Sequence, residues 1–306
     1  MEIYMSLLHA HAEGEGIVGF LEDVLLDGVL DTLKLVPFLF LTYLLMEFIE
    51  HRASDKAERF MLRAGNFAPL LGGALGAVPQ CGFSAAAANL YAGRVISIGT
   101  LVAVFLSTSD EMLPILISGR LSAGAIALIL GYKAAVGILV GFGVDFFLRL
   151  THRVHREINI DEICDNDNCH CEKGIIYSAI HHTLTISLFV LIVTFLINAL
   201  VFFVGVDKLG TVMYDRPIIS HIIAAVFGLI PNCAASVVLS KLFADGLITA
   251  GTMMSGLFSG AGVGVLVLFR VNRHWKENLG VLGVLIGAGF LFGLLADLVF
   301  PPLWFS

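Results

Sequence analysis

The feature that most limits this chain is a set of apolar runs too long for a water-soluble fold. Leu33–Ile49, Ile176–Val204 and Leu279–Phe300 approach or exceed the roughly 18–20 residues that an α-helix needs to cross a bilayer's hydrocarbon core. Charged side chains make up 14% of the 306 residues, against roughly 25% in a soluble domain. That is too few to cover a water-facing surface of this size. The 32 glycines suit close helix packing in lipid, and the alternating pattern of an outer-membrane barrel is absent. The sequence predicts an all-α polytopic membrane protein.

The second constraint is an internal repeat. Shifting the sequence by 152 residues, without a gap, aligns Leu75–Ser107 with Phe227–Ser259 at ten identities in 33 positions. Among the pairs are Gly76/Gly228, Pro79/Pro231, Cys81/Cys233, Ser84/Ser236, Gly99/Gly251 and Ser107/Ser259. The same offset recovers Gly137/Gly289, Gly141/Gly293 and Asp145/Asp297. Apolar segments match one another by chance through Leu, Ala and Val, not through Pro, Cys and Asp in one register. A period of this kind signals duplicated architecture.

Each half then reads as four elements. The first has a span near 33–50, a Pro- and Gly-broken segment near 66–92, and spans near 95–118 and 122–149. The second has 177–204, a broken segment 218–244, 247–269 and 279–300. The domains expected are an amphipathic segment 1–32, a first membrane repeat 33–149, a linker 150–176 and a second repeat 177–306. Cytoplasmic loops are enriched in Lys and Arg, and this chooses between topologies. If each broken segment returns to the side it left, twelve of the 18 basic residues fall on one side, among them Arg52, Arg94, Arg153, Arg270 and Lys276. The halves are then inverted repeats, each with a Pro/Cys-broken helical hairpin, making about 8–10 membrane segments in all, with the linker cytoplasmic. Met1–Ser6 lacks the positive start of a signal peptide.

Inverted repeats with broken helices mark alternating-access transporters, whose site lies near the midplane between the repeats. The breaks are Val78-Pro79-Gln80-Cys81-Gly82-Phe83-Ser84 and Ile230-Pro231-Asn232-Cys233-Ala234-Ala235-Ser236. Proline removes a backbone donor and interrupts the helix, and each break adds an amide, a thiol and a hydroxyl. Pro79, Gln80, Cys81, Ser84, Pro231, Asn232, Cys233 and Ser236 are the expected substrate site. A thiol pair favours thiophilic species over hard cations. The plainer alternative is a buried cysteine acting as a small hydrophobe beside a proline kink.

Asp110 and Glu111 fall inside the span 95–118, with Lys133 on the next span as the expected partner. Intramembrane charges cost several kcal/mol and face a cavity or a partner. The second half has Gly262 and Val263 at the acidic positions, so the acids are not duplicated. That suits either coupling to a proton or cation, or a structural ion pair. The linker carries Cys164, Cys169, His170 and Cys171. It has only one ligand cluster and so does not form a zinc finger. It reads as a metal or metalloid trap, or as a solvated segment rich in cysteine. Asp145 and Asp297, at span ends, suit capping or packing between halves. His221 aligns with Pro69, so the repeat gives it no support.

No phosphate-binding loop of the ATPase type occurs, and no basic patch suits nucleic acid. An intramembrane thiol enzyme would need a base beside Cys81 or Cys233, and neither has a duplicated His or Lys nearby. No cofactor is expected. A channel is the remaining alternative, although it has no need of an asymmetric acidic pair.

Leu35–Glu47 (LVPFLFLTYLLME), the two Pro-x-Cys motifs, Ser107–Glu111 and the Cys/His linker resemble a family of bacterial ten-span heavy-metal exporters. Its members are labelled arsenic efflux proteins or manganese transporters, and it is related to ArsP-type organoarsenical permeases. The resemblance implies ten spans, the bacterial inner membrane, a metal or metalloid substrate and export from the cytoplasm. A homo-oligomer is compatible with it. Trivalent arsenic suits the thiols. Manganese would prefer Asp110, Glu111, Gln80 and Asn232.

Overall fold

A computed structural model describes residues 67–77, 81–108, 112–118, 121–150, 175–204, 217–231, 233–244 and 246–300, together with helical positions between 29 and 44. Every regular element among the described residues is an α-helix. In chain order these are α1 (Ala68–Gly76), α2 (Cys81–Ala92), α3 (Ile98–Ser107), α4 (Met112–Ser118) and α5 (Ala123–Leu150). Then come α6 (Ile175–Val204), α7 (Pro217–Gly228), α8 (Cys233–Ala244), α9 (Ala250–Ser259), α10 (Val263–Val271) and α11 (Trp275–Val299). The amphipathic segment expected at 1–32 and the linker fall almost wholly outside the described residues.

The boundaries repeat with the sequence. Cys81–Ala92 and Cys233–Ala244 are in register at the 152-residue offset, as are Ile98–Ser107 and Ala250–Ser259. The buried faces repeat as well. On α5 the inward positions include Ile126, Ile129, Lys133, Val136, Gly137, Gly141 and Asp145. On α11 the first six of these return as Asn278, Val281, Leu285, Ala288, Gly289 and Gly293. Steps of three and four residues make one helical face. The opposite face stays apolar and exposed, with Leu139, Phe146 and Phe147 on α5 and Leu291, Leu295 and Leu298 on α11. An exposed apolar face of this kind suits lipid, and Ala123–Leu150, Ala250–Val271 and Trp275–Val299 are each long and apolar enough to span.

Two expected spans are interrupted. The stretch 95–118 is α3 followed by α4, and 247–269 is α9 followed by α10. In the second half the interruption is Gly260-Ala261-Gly262, where Gly262 has φ 53°, a conformation that glycine adopts without steric cost. In the first half the chain restarts at Met112 with Pro114 in the first turn of α4, where a missing N–H costs no helical bond. Each half thus holds two broken elements rather than one.

Within each half three helices pack together: α1 with α3 and α5, and α7 with α9 and α11. The short helices cross over. α2 packs on α10 of the other half, α8 packs on α4, and α3 touches α9. The second repeat therefore completes the first.

Candidate functional site

Close backbone approach brings the helix ends together. A Cβ on Gly76 would meet the Ser107 hydroxyl and the Val104 carbonyl, and one on Gly228 would meet the Ser259 hydroxyl and the Gly256 carbonyl. The ends of α1 and α3, and of α7 and α9, are thus in backbone contact. Ser107 donates to the Ala103 carbonyl at 2.7 Å and Ser259 to the Gly256 carbonyl at 2.9 Å. Both hydroxyls therefore bond back to their own helix.

The expected cysteines hold equivalent positions along the chain. Cys81 is the first residue of α2 and Cys233 the first of α8, each directly after a break. Ser84 is buried, and a Cβ on Gly264 would lie 2.8 Å from the Ser84 Cβ. The first Pro-Cys helix therefore sits against the start of α10, beside the second half's interruption. Ser236 and Pro231 are half-buried on the α8 side. Pro79, Gln80, Asn232, Asp110 and Glu111 lie outside the described residues, as do Cys164, Cys169, His170 and Cys171. Among the described residues no three His, Cys, Asp or Glu side chains converge as a metal site.

Lys133 is fully buried, and its Nζ donates to the Thr108 carbonyl at 2.5 Å and the Leu257 carbonyl at 2.9 Å. Thr108 caps α3, and Leu257 is in the last turn of α9. The final carbonyls of a helix lack intrahelical partners and carry negative partial charge. One ammonium thus serves the C-terminal ends of a helix from each half. The Phe258 ring, 5.7 Å away, adds a cation–π contact. The corresponding position in the second half is Leu285, so this cation is unique to one repeat. Tyr132, beside it, donates to the Phe292 carbonyl of α11 at 2.7 Å, a second tie between halves.

The duplicated aspartates are caps, and each works within its own half. Asp145 accepts from the Ser97 hydroxyl at 2.6 Å and the Gly99 N–H at 2.9 Å. Asp297 accepts from the Thr249 hydroxyl at 2.9 Å and the Gly251 N–H at 2.7 Å. Ser97 and Thr249 in turn accept from the N–H groups of Thr100 and Thr252. A carboxylate at a helix N-terminus satisfies orphan donors and meets the positive end of the dipole.

The duplication does not extend to His221. Its Nε2 lies 3.2 Å from the Asp297 Oδ2, and its side chain is 1% exposed. The signal in the sequence was the mismatch itself, a histidine facing a proline across the repeat.

A further cluster joins the halves at the other end of α11. Arg94 donates to Glu277 at 2.9 Å, Tyr91 donates to the same oxygen at 2.6 Å, and the Arg94 guanidinium lies 3.3 Å from His274 Nδ1.

The family described as "Putative, 10TM heavy-metal exporter" matches residues 21–219, from the N-terminal segment through the first repeat and the linker into α7. No curated protein and no solved structure matches the chain. The match covers well over half of the sequence, and the apolar helices and broken spans agree with a membrane carrier. The chain belongs to this ten-span heavy-metal exporter family.

Proposed function

We propose that the chain is a secondary-active transporter of the bacterial inner membrane that exports a thiophilic metal or metalloid, specifically a trivalent arsenical, in exchange for protons. The observation that carries this reading is the paired placement of Cys81 and Cys233, each opening the helix after a break at equivalent positions of the two repeats. Thiolates are soft ligands and prefer thiophilic ions. Pro79, Gln80, Ser84, Pro231, Asn232 and Ser236 line the same site in this reading. The repeats are inverted, as the distribution of Lys and Arg suggests, and Cys164, Cys169, His170 and Cys171 collect metal at the cytoplasmic mouth. Asp110 and Glu111 act with Lys133 in coupling. Support for that role comes from Lys133, whose ammonium bridges one helix end of each half.

The test is transport in proteoliposomes. Methylarsenite movement should be saturable and driven by a proton gradient. Cys81→Ser with Cys233→Ser should lower it by about tenfold or more, the effect of losing roughly 1.4 kcal/mol of binding. Unchanged transport in the double variant rejects the thiol site. Manganese transport without arsenical transport would favour the oxygen donors Asp110, Glu111, Gln80 and Asn232.

A further inference from the structure

We propose that His221 and Asp297 form a proton-binding pair, present in the second repeat only, whose occupancy sets how firmly α7 is held to α9 and α11. The repeat supplies an internal comparison. Asp145 and Asp297 make the same two hydrogen bonds, each to a hydroxyl and a backbone N–H at the start of a short helix. Neither donor titrates near neutrality. Where the first half has Pro69, the second has an imidazole 3.2 Å from the carboxylate. Histidine is the side chain that changes charge between about pH 5 and 8. Protonation turns the contact into a charge-assisted bond.

Few ionisable groups lie on the described elements that pack against α7. α7 packs against α8, α9 and α11 and carries no other ionisable side chain. α9 has none. α8 contributes the Cys233 thiol and Lys241, which is exposed. α11 has Lys276 and Glu277 at its other end, about 30 Å from Asp297 at 1.5 Å per residue. His221 shares its helix face with Ala224, Ala225 and Gly228, all buried. Gly228 lies two turns on, against Ser259 and directly before the second Pro-Cys break. A proton at His221 thus acts on the helix that leads into the break. Counting Lys and Arg puts this end opposite Arg270, Arg273 and Lys276, on the outer side. The role in coupling rests on the exporter reading above; the existence of the pair does not.

The test uses the full chain in nanodiscs with carbon-13-labelled histidine, the His221 resonance being identified by its loss in His221→Gln. That resonance should titrate between about pH 5 and 8. Asp297→Asn should move its midpoint by about one pH unit or more, and Asp145→Asn should leave it unmoved. No titration in that range, or an unmoved midpoint in Asp297→Asn, overturns the pair. Should Asp297→Asn fail to fold, the pH profile of thermal unfolding decides, because His221→Gln keeps the cap and should flatten that profile. An unflattened profile counts against the pair. In proteoliposomes loaded with methylarsenite, His221→Gln should lose the acceleration that a proton gradient gives the wild type. A variant that keeps it overturns the coupling role. A wild type that moves no arsenical removes the exporter reading, and the titration still decides the pair.

Discussion

Asp145 holds a helix start with both carboxylate oxygens, and it is nearly buried while doing so. Replacing it with alanine leaves the Gly99 N–H without its acceptor and the Ser97 hydroxyl without its anion. Loss of a cap costs about 0.5–2 kcal/mol, and an orphaned buried donor costs about 1–3 kcal/mol. Asp145→Ala should therefore lower the thermal midpoint in detergent clearly, and Asp145→Asn, which keeps one acceptor, should lower it less. Equal losses would place the effect in side-chain volume rather than in hydrogen bonding. The aspartates were legible in the sequence because the repeat displays them twice, whereas their Ser97 and Thr249 partners emerge only from the structure. Lys133 was legible as a buried cation. Its acceptors were not, since they are backbone carbonyls, and which carbonyls a helix end exposes depends on where the helix stops. His221 was illegible for the opposite reason: an argument from symmetry discards whatever symmetry lacks.

At the scale of elements, the α3–α5 seam depends on missing side chains. A Cβ on Gly141 would meet the Gly99 carbonyl and the Ala103 Cβ, whereas one on Gly143, a half-turn away, would meet nothing within 4 Å. Gly141→Leu should destabilise by at least the roughly 1–3 kcal/mol of an overpacked core. Gly143→Ala should stabilise by about 0.5–1 kcal/mol through helix propensity alone. Thermal unfolding of the two variants in the same detergent checks both signs. If Gly141→Leu is neutral, the seam is looser than the contacts require. The long helices α5, α6 and α11 follow from apolar length, and their existence was evident from sequence. The breaks within 95–118 and 247–269 were missed there because hydropathy does not register them. Pro114 and the Gly260-Ala261-Gly262 turn were the available signs, and they are backbone signals rather than apolar ones.

At the scale of the whole molecule, the halves are joined by exchanged short helices, so an ion pair between them reports on their relative position. Arg94 has φ 58°, and its counterpart Gly246 has φ 73°. Both end a helix by the same hydrogen bonds, Val95 N–H to the Leu90 carbonyl and Leu247 N–H to the Leu242 carbonyl, each at 2.8–2.9 Å. This is the left-handed C-terminal cap that glycine normally fills, and a non-glycine residue there costs about 1–2 kcal/mol. Arginine at Arg94 is locally unfavourable, and the gain has to come from the side chain. That side chain reaches Glu277 at the start of α11 in the other half, stacks over Tyr91 at 5.3 Å and meets His274. The second half cannot repeat the arrangement, since Glu277 corresponds to Ala125. The arrangement therefore has no counterpart at the equivalent place of the other half. Arg94→Gly relieves the backbone and loses the pair, so its stability should change little. Glu277→Gln keeps the strain and should destabilise by about 0.5–1 kcal/mol, the range for a partly exposed pair. In the double variant the Glu277→Gln effect should shrink to what the Tyr91 hydrogen bond contributes, because the guanidinium is gone. A double-mutant cycle on thermal unfolding measures that coupling directly. A coupling energy of zero would leave the strained cap at Arg94 uncompensated by Glu277, and the two halves would be held at this end by the Tyr91–Glu277 hydrogen bond and packing.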